Sequence, residues 1–169
     1  IENNGSTFGV GGWGGALRLR KQFVQKFADA SFSTDERKTI ISGARPIEIT
    51  NIALQGQGFV LGKFSNKTST GVAGANQTFV DTDFPLFRLG DVYLMYAECA
   101  KRGAGNATMS QALIYVNDLR ERANNSTANN IGNTGDLTLD FLLDERSREL
   151  DLEGHRRQDL IRFNKYVGG

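Results

Sequence analysis

The chain has 169 residues, of which 39% are hydrophobic and 23% are charged, and its formal net charge is +1. This composition is typical of one ordinary globular domain. The near-neutral charge argues against a nucleic-acid-binding protein and against a polybasic membrane-binding segment. No apolar run approaches the roughly 20 residues that a helix needs to span a bilayer.

The first half of the chain is rich in glycine and in small polar residues, with few long periodic patterns. The exception is residues 17–32, where Phe23, Val24 and Phe27 predict one amphipathic helix that ends near Asp29. Residues 33–37 have the character of a helix start. Two short strands are predicted at residues 47–54 and 58–64. The polar, glycine-rich residues between Asn66 and Asn76 predict a surface loop.

Helical periodicity begins near Leu86. One apolar stripe, which includes Leu86 and Leu89, runs to Ala100, and a second helix follows Thr108, a suitable N-cap. A short turn joins them, so the sequence predicts an αα-hairpin about as long as one tetratricopeptide unit. Cys99, the single cysteine, is expected to be a small buried apolar residue of the first helix.

A third helix, predicted from Thr138 to Gly154, mixes leucines with charges of both signs, and Asp159 is expected to start the next helix. Unpaired buried charges are costly, so these side chains should pair with one another or with backbone groups. Arg88, which lies in an apolar segment, should pair with Glu98 or with a later glutamate. The predicted structural ion-pair network is Arg88, Glu98, Arg120, Glu145, Arg146, Glu149, Glu153 and Arg156.

Three blocks of sequence carry a family resemblance. Residues 145–156 read ERSRELDLEGHR, residues 83–98 read DFPLFRLGDVYLMYAE, and residues 112–123 read ALIYVNDLRERA. Together and in this order they resemble the SusD/RagB family of outer-membrane nutrient-binding lipoproteins, and most closely its starch-binding branch. The resemblance adds to the periodicity, which by itself supports only helices and a hairpin.

The resemblance implies a mainly α fold: a tetratricopeptide-like helical hairpin plus additional helices, with irregular glycine-rich loops and a small β element. Residues 1–169 are then expected to be a fragment of a SusD-like C-terminal domain. Residues 1–82 would be its loop-rich, ligand-facing part, and residues 83–169 its helical part.

The resemblance also implies a function. It is non-catalytic binding of a nutrient glycan, with a starch or α-glucan oligosaccharide as the leading choice, and delivery to a SusC-type TonB-dependent outer-membrane transporter. The protein would be a surface-exposed lipoprotein of the outer membrane in a Bacteroidetes-type bacterium, with its lipid anchor outside these residues. Two alternatives stay open: a peptide-binding member of the family, and a tetratricopeptide-like interaction scaffold without a sugar site.

Trp13, the single tryptophan, is the one predicted ligand-binding residue, and glycines flank it on both sides. Its indole could be an open surface for a sugar ring or could pack on the core, and the resemblance favours sugar stacking. The carboxylates of Glu145, Glu149 and Glu153 could indicate a glycosidase, but the neighbouring arginines favour ion pairing. No catalytic residue and no cofactor are expected. One cysteine and one histidine, His155, make no metal site, although structural calcium in the asparagine-rich loops stays open.

Overall fold

A computed structural model describes residues 5–11 and 17–166. The described residues form two compact units. The loop unit contains the described residues of Ile1–Ala28 and Lys38–Phe84, and the helical unit contains those of Asp29–Arg37 and Pro85–Gly169. The mainly helical fold with a small β element is confirmed, since most of the regular structure in these residues is α-helix beside one two-stranded sheet.

The loop unit contains little regular structure. Its elements are a 3-10 turn at Gly5–Phe8, helix α1 (Lys21–Gln25), and strands β1 (Ile40–Ile41) and β2 (Val60–Leu61). The strands are antiparallel, with Ile40 opposite Leu61 and Ile41 opposite Val60. Strand β2 falls within the strand predicted at residues 58–64, whereas its partner was not predicted.

The helix predicted within residues 17–32, with its end near Asp29, is shorter than expected. Helix α1 covers only Lys21–Gln25, and Ala30–Phe32 forms a separate 3-10 turn. Between them Asp29 is extended, and its carboxylate accepts a hydrogen bond from the backbone N–H of Ser31 at 2.8 Å. A side chain that satisfies a backbone N–H in this way favours a new turn over continuation of the helix.

The strand predicted at residues 47–54 is also absent from this described segment. Instead, the guanidinium of Arg18 donates to the backbone carbonyls of Ile52 and Leu54, each at 2.7 Å. The side-chain oxygen of Gln57 accepts from two backbone N–H groups of the same segment at 2.9 Å. The backbone groups therefore bond to side chains, so they need no neighbouring strand.

The helical unit contains the predicted hairpin, made by α2 (Leu89–Lys101) and α3 (Met109–Asn124), followed by α4 (Leu139–Glu149) and α5 (Arg156–Arg162). Thr108 caps α3 through a hydrogen bond from the N–H of Gln111, as predicted, and Thr138 caps α4 through one from Phe141. No helix among the described residues is long and apolar enough to cross a bilayer.

The core of the helical unit lies where α2, α3 and α4 meet. The fully buried side chains there are Leu94, Ala97, Ala112, Val116, Leu137 and Leu142. The alanines allow the helices to approach closely, and the larger side chains fill the space between them. Beside this core the ring of Tyr93 stacks on that of Tyr115, with 4.2 Å between the ring centroids.

Several residues lie elsewhere than predicted. Leu86 and Leu89, expected on the inner stripe, are exposed, because α2 begins only at Leu89 and its inner face is centred on Leu94 and Ala97. Cys99 is exposed rather than buried. It lies two residues after the buried Ala97, and two residues along a helix do not share a face.

The last turns of the chain also differ from the prediction. Helix α4 ends at Glu149, before Gly154, which has a positive φ of 81° in the following turn. Helix α5 then begins at Arg156 with His155 as its N-cap residue, so Asp159 lies inside the helix instead of starting it. Its carboxylate is buried and faces an arginine of α4.

Leu94→Ala should lower the free energy of unfolding by about 2–5 kcal/mol, because it leaves a cavity between three helices at a side chain that is 0% exposed. Leu89→Ala, on the same helix but 61% exposed, is the matched control and should cost less than about 0.5 kcal/mol. Urea unfolding of both variants measures the difference. Equal losses would show that the buried face of α2 is assigned wrongly.

Candidate functional site

A cavity of about 380 Å³ in the loop unit is the best candidate for a ligand site among the described residues. We call it the aromatic pocket. The described residues of its lining combine aromatic and aliphatic side chains with hydroxyl and amide groups, and none of them is charged. The lining residues are Phe8, Val10, Gly11, Phe64, Ser65, Asn66, Gln77, Thr78, Val80 and Thr82. Apolar walls with a few polar groups are the usual composition of a small-molecule site.

Asn66 holds the aromatic pocket together. Its side-chain amide nitrogen donates to the backbone carbonyls of Gly9 and Asn76, each at 2.9 Å, and its amide oxygen accepts from the N–H of Asp81 at 3.2 Å. Its backbone N–H donates to the carbonyl of Phe8 at 2.8 Å. One side chain thus connects three segments of the loop unit. The surface loop predicted between Asn66 and Asn76 is largely exposed, whereas Asn66 itself is buried, at 5% exposure.

Two glycines allow the chain to pass this close to Asn66. Gly9 has a positive φ of 69°, and a Cβ there would also clash with the carbonyl of Asn66. A Cβ at Gly74 would clash with the side-chain amide of Asn66. Both positions therefore require glycine, the first for its conformation and the second for its small size.

The rim of the pocket offers polar groups to a ligand. The side chains of Gln77 and Thr78 are exposed and have no hydrogen-bond partner among the described residues. The hydroxyl of Thr82, by contrast, donates to the carbonyl of Ser65 at 3.0 Å. Gln77 and Thr78 supply donors and acceptors beside the apolar floor, so the pocket can bind a ligand that has both an apolar face and hydroxyl or amide groups.

The helical unit contains the second cluster of interest, which we call the arginine–glutamate network. At its centre Glu145 is fully buried, and its carboxylate lies 2.8 Å from Arg37, 2.6 Å from Arg148 and 3.3 Å from Arg120. Burial alone would raise the pKa of Glu145, but the attraction of these guanidinium groups outweighs it and lowers the pKa to about 2. Glu145 is therefore ionised at neutral pH.

Glu149 extends the network one turn further along α4. Its carboxylate lies 2.6 Å from Arg88, 2.7 Å from Arg122 and 3.1 Å from Arg37. Burial opposes ionisation here too, but the hydrogen bonds from Arg122 and Arg88 keep the pKa of Glu149 below its usual value. Arg88 also reaches Glu153 at 2.6 Å, so its partners are late glutamates and not Glu98.

Glu98 belongs to a separate group of charges. It lies 2.8 Å from Arg102, one turn along α2, and 2.8 Å from Arg162 of α5. Burial would raise the pKa of Glu98, yet the hydrogen bonds from these two arginines lower it. These contacts connect the hairpin to the last helix.

The two remaining predicted arginines have different kinds of partners. The guanidinium of Arg146 lies 2.8 Å from the carboxylate of Asp91 and 2.9 Å from that of Asp159. These contacts are close ion pairs whose geometry does not meet that of a hydrogen bond. Arg156 donates to the backbone carbonyl of Leu143 at 3.0 Å. Burial lowers the pKa of Arg156.

Sequence reasoning missed Arg37 and its neighbours. Residues 33–37 were predicted to start a helix, but Arg37 instead enters the network and pairs with Asp35 at 2.6 Å. The ring of Phe32 also lies next to the network, with its centroid 4.5 Å from the guanidinium of Arg148. Two adjacent acids and an arginine in a segment without helical periodicity were the only signal that could have indicated a charge cluster.

Comparison with known proteins identifies the family. A model of the SusD family matches residues 17–169. The chain belongs to the SusD family. It is 37% identical over 142 residues to the starch-binding protein SusD of Bacteroides thetaiotaomicron, a match that covers 79% of this chain and 24% of the relative. A SusD-like protein of Formosa agariphila is 38% identical over 94 residues, 52% of this chain and 18% of the relative.

A third relative, a SusD-like protein of Bacteroides ovatus, is 30% identical over 82 residues, 48% of this chain and 14% of the relative. The chain thus spans about a quarter or less of the length of these SusD-family relatives. The matched region includes both the aromatic pocket's later segments and all residues of the arginine–glutamate network.

Trp13 lies outside the described residues, so its role in sugar stacking stays a prediction. His155 is the N-cap residue of α5, and its side chain makes no capping hydrogen bond there. No group of three or more histidine, cysteine or carboxylate side chains suited to a metal ion occurs in the described part of the chain.

Glu145→Gln should lower the free energy of unfolding at neutral pH by about 3–5 kcal/mol, because it leaves several buried arginines without their shared negative charge. Asp140→Asn is the matched control on the same helix, since its carboxylate is largely exposed and pairs only with Lys165 at 3.1 Å. Chemical denaturation should show little change for the control.

The pH dependence of stability also tests the role of Glu145. The pKa of Glu145 is about 2 in the folded chain against an ordinary 4.5, so its contribution to stability is complete above pH 4.5 and is lost as the pH falls towards 2. Glu145→Gln should flatten the stability profile in this window. An unchanged slope would show that Glu145 is not the buried charge that controls acid unfolding.

Proposed function

We propose that this protein binds a neutral nutrient glycan without catalysis, with a starch-type α-glucan oligosaccharide as the leading ligand. As a surface lipoprotein of the outer membrane, it would deliver the captured sugar to a SusC-type TonB-dependent transporter. The observation that carries the proposal is the aromatic pocket, whose described lining residues are apolar or carry uncharged polar groups.

The chemistry of the pocket suits a sugar. A pyranose ring has an apolar face that can lie on the ring of Phe8 or Phe64, and hydroxyls around its edge that can bond to Gln77 and Thr78. None of the described lining residues could pair with the carboxylate or sulfate of an acidic glycan, and an unpaired charge is costly to desolvate. A cation outside the lining, the amine of Lys63, lies 5.8 Å from the ring centroid of Phe64. The lining therefore favours a neutral oligosaccharide.

The charged residues argue against hydrolysis. A glycosidase needs one carboxyl group with a raised pKa to act as general acid. The glutamates of the network have the opposite property, since their arginine partners lower the pKa of Glu145 and of Glu149. The described lining of the pocket contains no carboxylate at all. Both observations support binding without turnover.

The similarity to a relative named as starch-binding, at 37% identity, supports α-glucan as the first ligand to test. Trp13 would add a stacking surface to the site, which is the role that the family resemblance favours. Trp13 is the single tryptophan of these 169 residues, and a Trp13→Ala variant identifies the emission that comes from it. A peptide is the second candidate ligand, because Gln77 and Thr78 could bond to peptide groups as well.

Gly11→Leu should weaken glycan binding at least roughly tenfold, because the new side chain occupies the pocket. Gly11 lines the pocket, and a Cβ there meets nothing within 4 Å, so the substitution should fold normally. Gly56→Leu is the matched control, since Gly56 lies in the same unit with equally open surroundings but outside the pocket. Calorimetry and Trp13 emission with maltooligosaccharides measure the effect in the full-length protein.

The ligand series separates the alternatives. Saturable binding of maltooligosaccharides that is lost in Gly11→Leu and kept in Gly56→Leu is the expected result. Binding of cellooligosaccharides instead would replace α-glucan with another neutral glycan. Binding of a peptide pool alone would favour the peptide-binding alternative, and no binding of any ligand would favour the interaction scaffold.

A further inference from the structure

A second cavity, of about 310 Å³, lies beside the aromatic pocket in the loop unit. We call it the polar pocket. Ser65, Asn66 and Thr82 line both cavities, so the two are neighbours that share one wall. The described lining of the polar pocket has a different character, because it adds Lys67 and Asp81 and contains no aromatic ring. An apolar cavity and a charged one thus lie side by side.

The two charged residues of the polar pocket are not used by the folded chain itself. The side chains of Lys67 and Asp81 make no ion pair or hydrogen bond with another described residue, although both line the same cavity. Elsewhere in the same unit, Lys21 and Glu48 do form an ion pair. The ammonium and the carboxylate of the polar pocket therefore remain available to a ligand.

The backbone beside the polar pocket is held in place around Asn66. Lys67 pairs with Ala73 in an isolated antiparallel bridge. The backbone carbonyl of Asn66 accepts a hydrogen bond from the N–H of Gly74 at 2.7 Å, and its side-chain oxygen accepts from the N–H of Asp81 at 3.2 Å. Both charged residues thus have fixed backbone positions, so little backbone order remains to be lost when a ligand binds.

The two charges together select one kind of ligand group. An anionic substituent would be attracted by Lys67 but repelled by Asp81, and a cationic one would meet the reverse. A hydroxyl suits both, because it donates to a carboxylate and accepts from an ammonium. Hydrogen bonds to ionised partners are also stronger than those between neutral groups. The polar pocket therefore suits the hydroxyl-bearing edge of a sugar, whereas the aromatic pocket suits an apolar face.

We propose that the polar pocket is a second sugar-binding subsite, and that one oligosaccharide occupies both pockets across the wall of Ser65, Asn66 and Thr82. The inference rests on the proposed glycan binding and adds that Lys67 and Asp81 bind hydroxyls of the ligand. The volumes agree with it. At about 380 and 310 Å³, each cavity is near the lower end of the roughly 300–1,000 Å³ of small-molecule sites, so a ligand of several sugar units needs both.

The test removes each charge from the full-length protein. Lys67→Met keeps the aliphatic stem and removes the ammonium. Asp81→Ala removes the carboxylate and keeps the backbone N–H that bonds to Asn66. Calorimetric titration with maltoheptaose, or with cellohexaose if only that series binds, should show about tenfold weaker binding for each variant, the loss expected for one charge-assisted hydrogen bond. The wild type should bind one glycan per protein.

Two variants serve as matched controls. Asp83 is exposed two residues after Asp81 and lines neither pocket, and Lys101 is exposed in the helical unit. Asp83→Ala and Lys101→Met should leave the affinity unchanged.

Unchanged affinity in both Lys67→Met and Asp81→Ala, while Gly11→Leu still weakens binding, would overturn the inference and leave the aromatic pocket as a glycan site. Two glycans bound per protein would also overturn it, because the pockets would then be separate sites. Failure of the wild type to bind any neutral oligosaccharide would instead overturn the proposed function itself.

Discussion

The buried carboxylate of Glu145 is the interaction on which the helical unit depends. A charge this deep is tolerated only when opposite charges and hydrogen bonds replace its lost water. Its partners come from three places in the chain: Arg148 from the same helix, Arg120 from α3 and Arg37 from the segment before the loop unit resumes. The carboxylate is satisfied only when these elements share one arrangement, so the ion pairs specify the packing that the leucines and alanines alone would leave less defined.

The loop unit satisfies its polar backbone groups in a different way. It has little regular structure, so its backbone N–H and C=O groups find side-chain partners: Arg18 and Gln57 for one loop, and Asn66 for the segments around the pocket. These side-chain amide and guanidinium groups fix irregular segments without the regular backbone hydrogen bonding of a helix or a sheet. Each of these side chains makes its hydrogen bonds in one geometry, so the neighbouring backbone must come close to it. Gly9 and Gly74 allow this close approach to Asn66.

The sequence predicted what local rules control. Thr108 and Thr138 cap helices because an N-cap is defined by neighbouring residues, and the hairpin follows from periodicity. The partners of the charged residues in the network could not be predicted. The sequence offers Arg88 several glutamates, and only the packing of the chain selects Glu149 and Glu153. The pocket was missed for the same reason: its lining comes from three distant segments, and Asn66 has the composition of a loop residue although it is buried.

The pairing of the charges within the arginine–glutamate network has a consequence for recognition. The arginines and glutamates of the family signature are already paired with one another, so few of them are left to attract a charged ligand. None of the described residues that line the aromatic pocket is charged. The glycan binding proposed there would therefore depend on contact area, ring stacking and hydrogen bonds to uncharged groups, which salt screens little. A site of this kind would distinguish ligands by their shape more than by their charge.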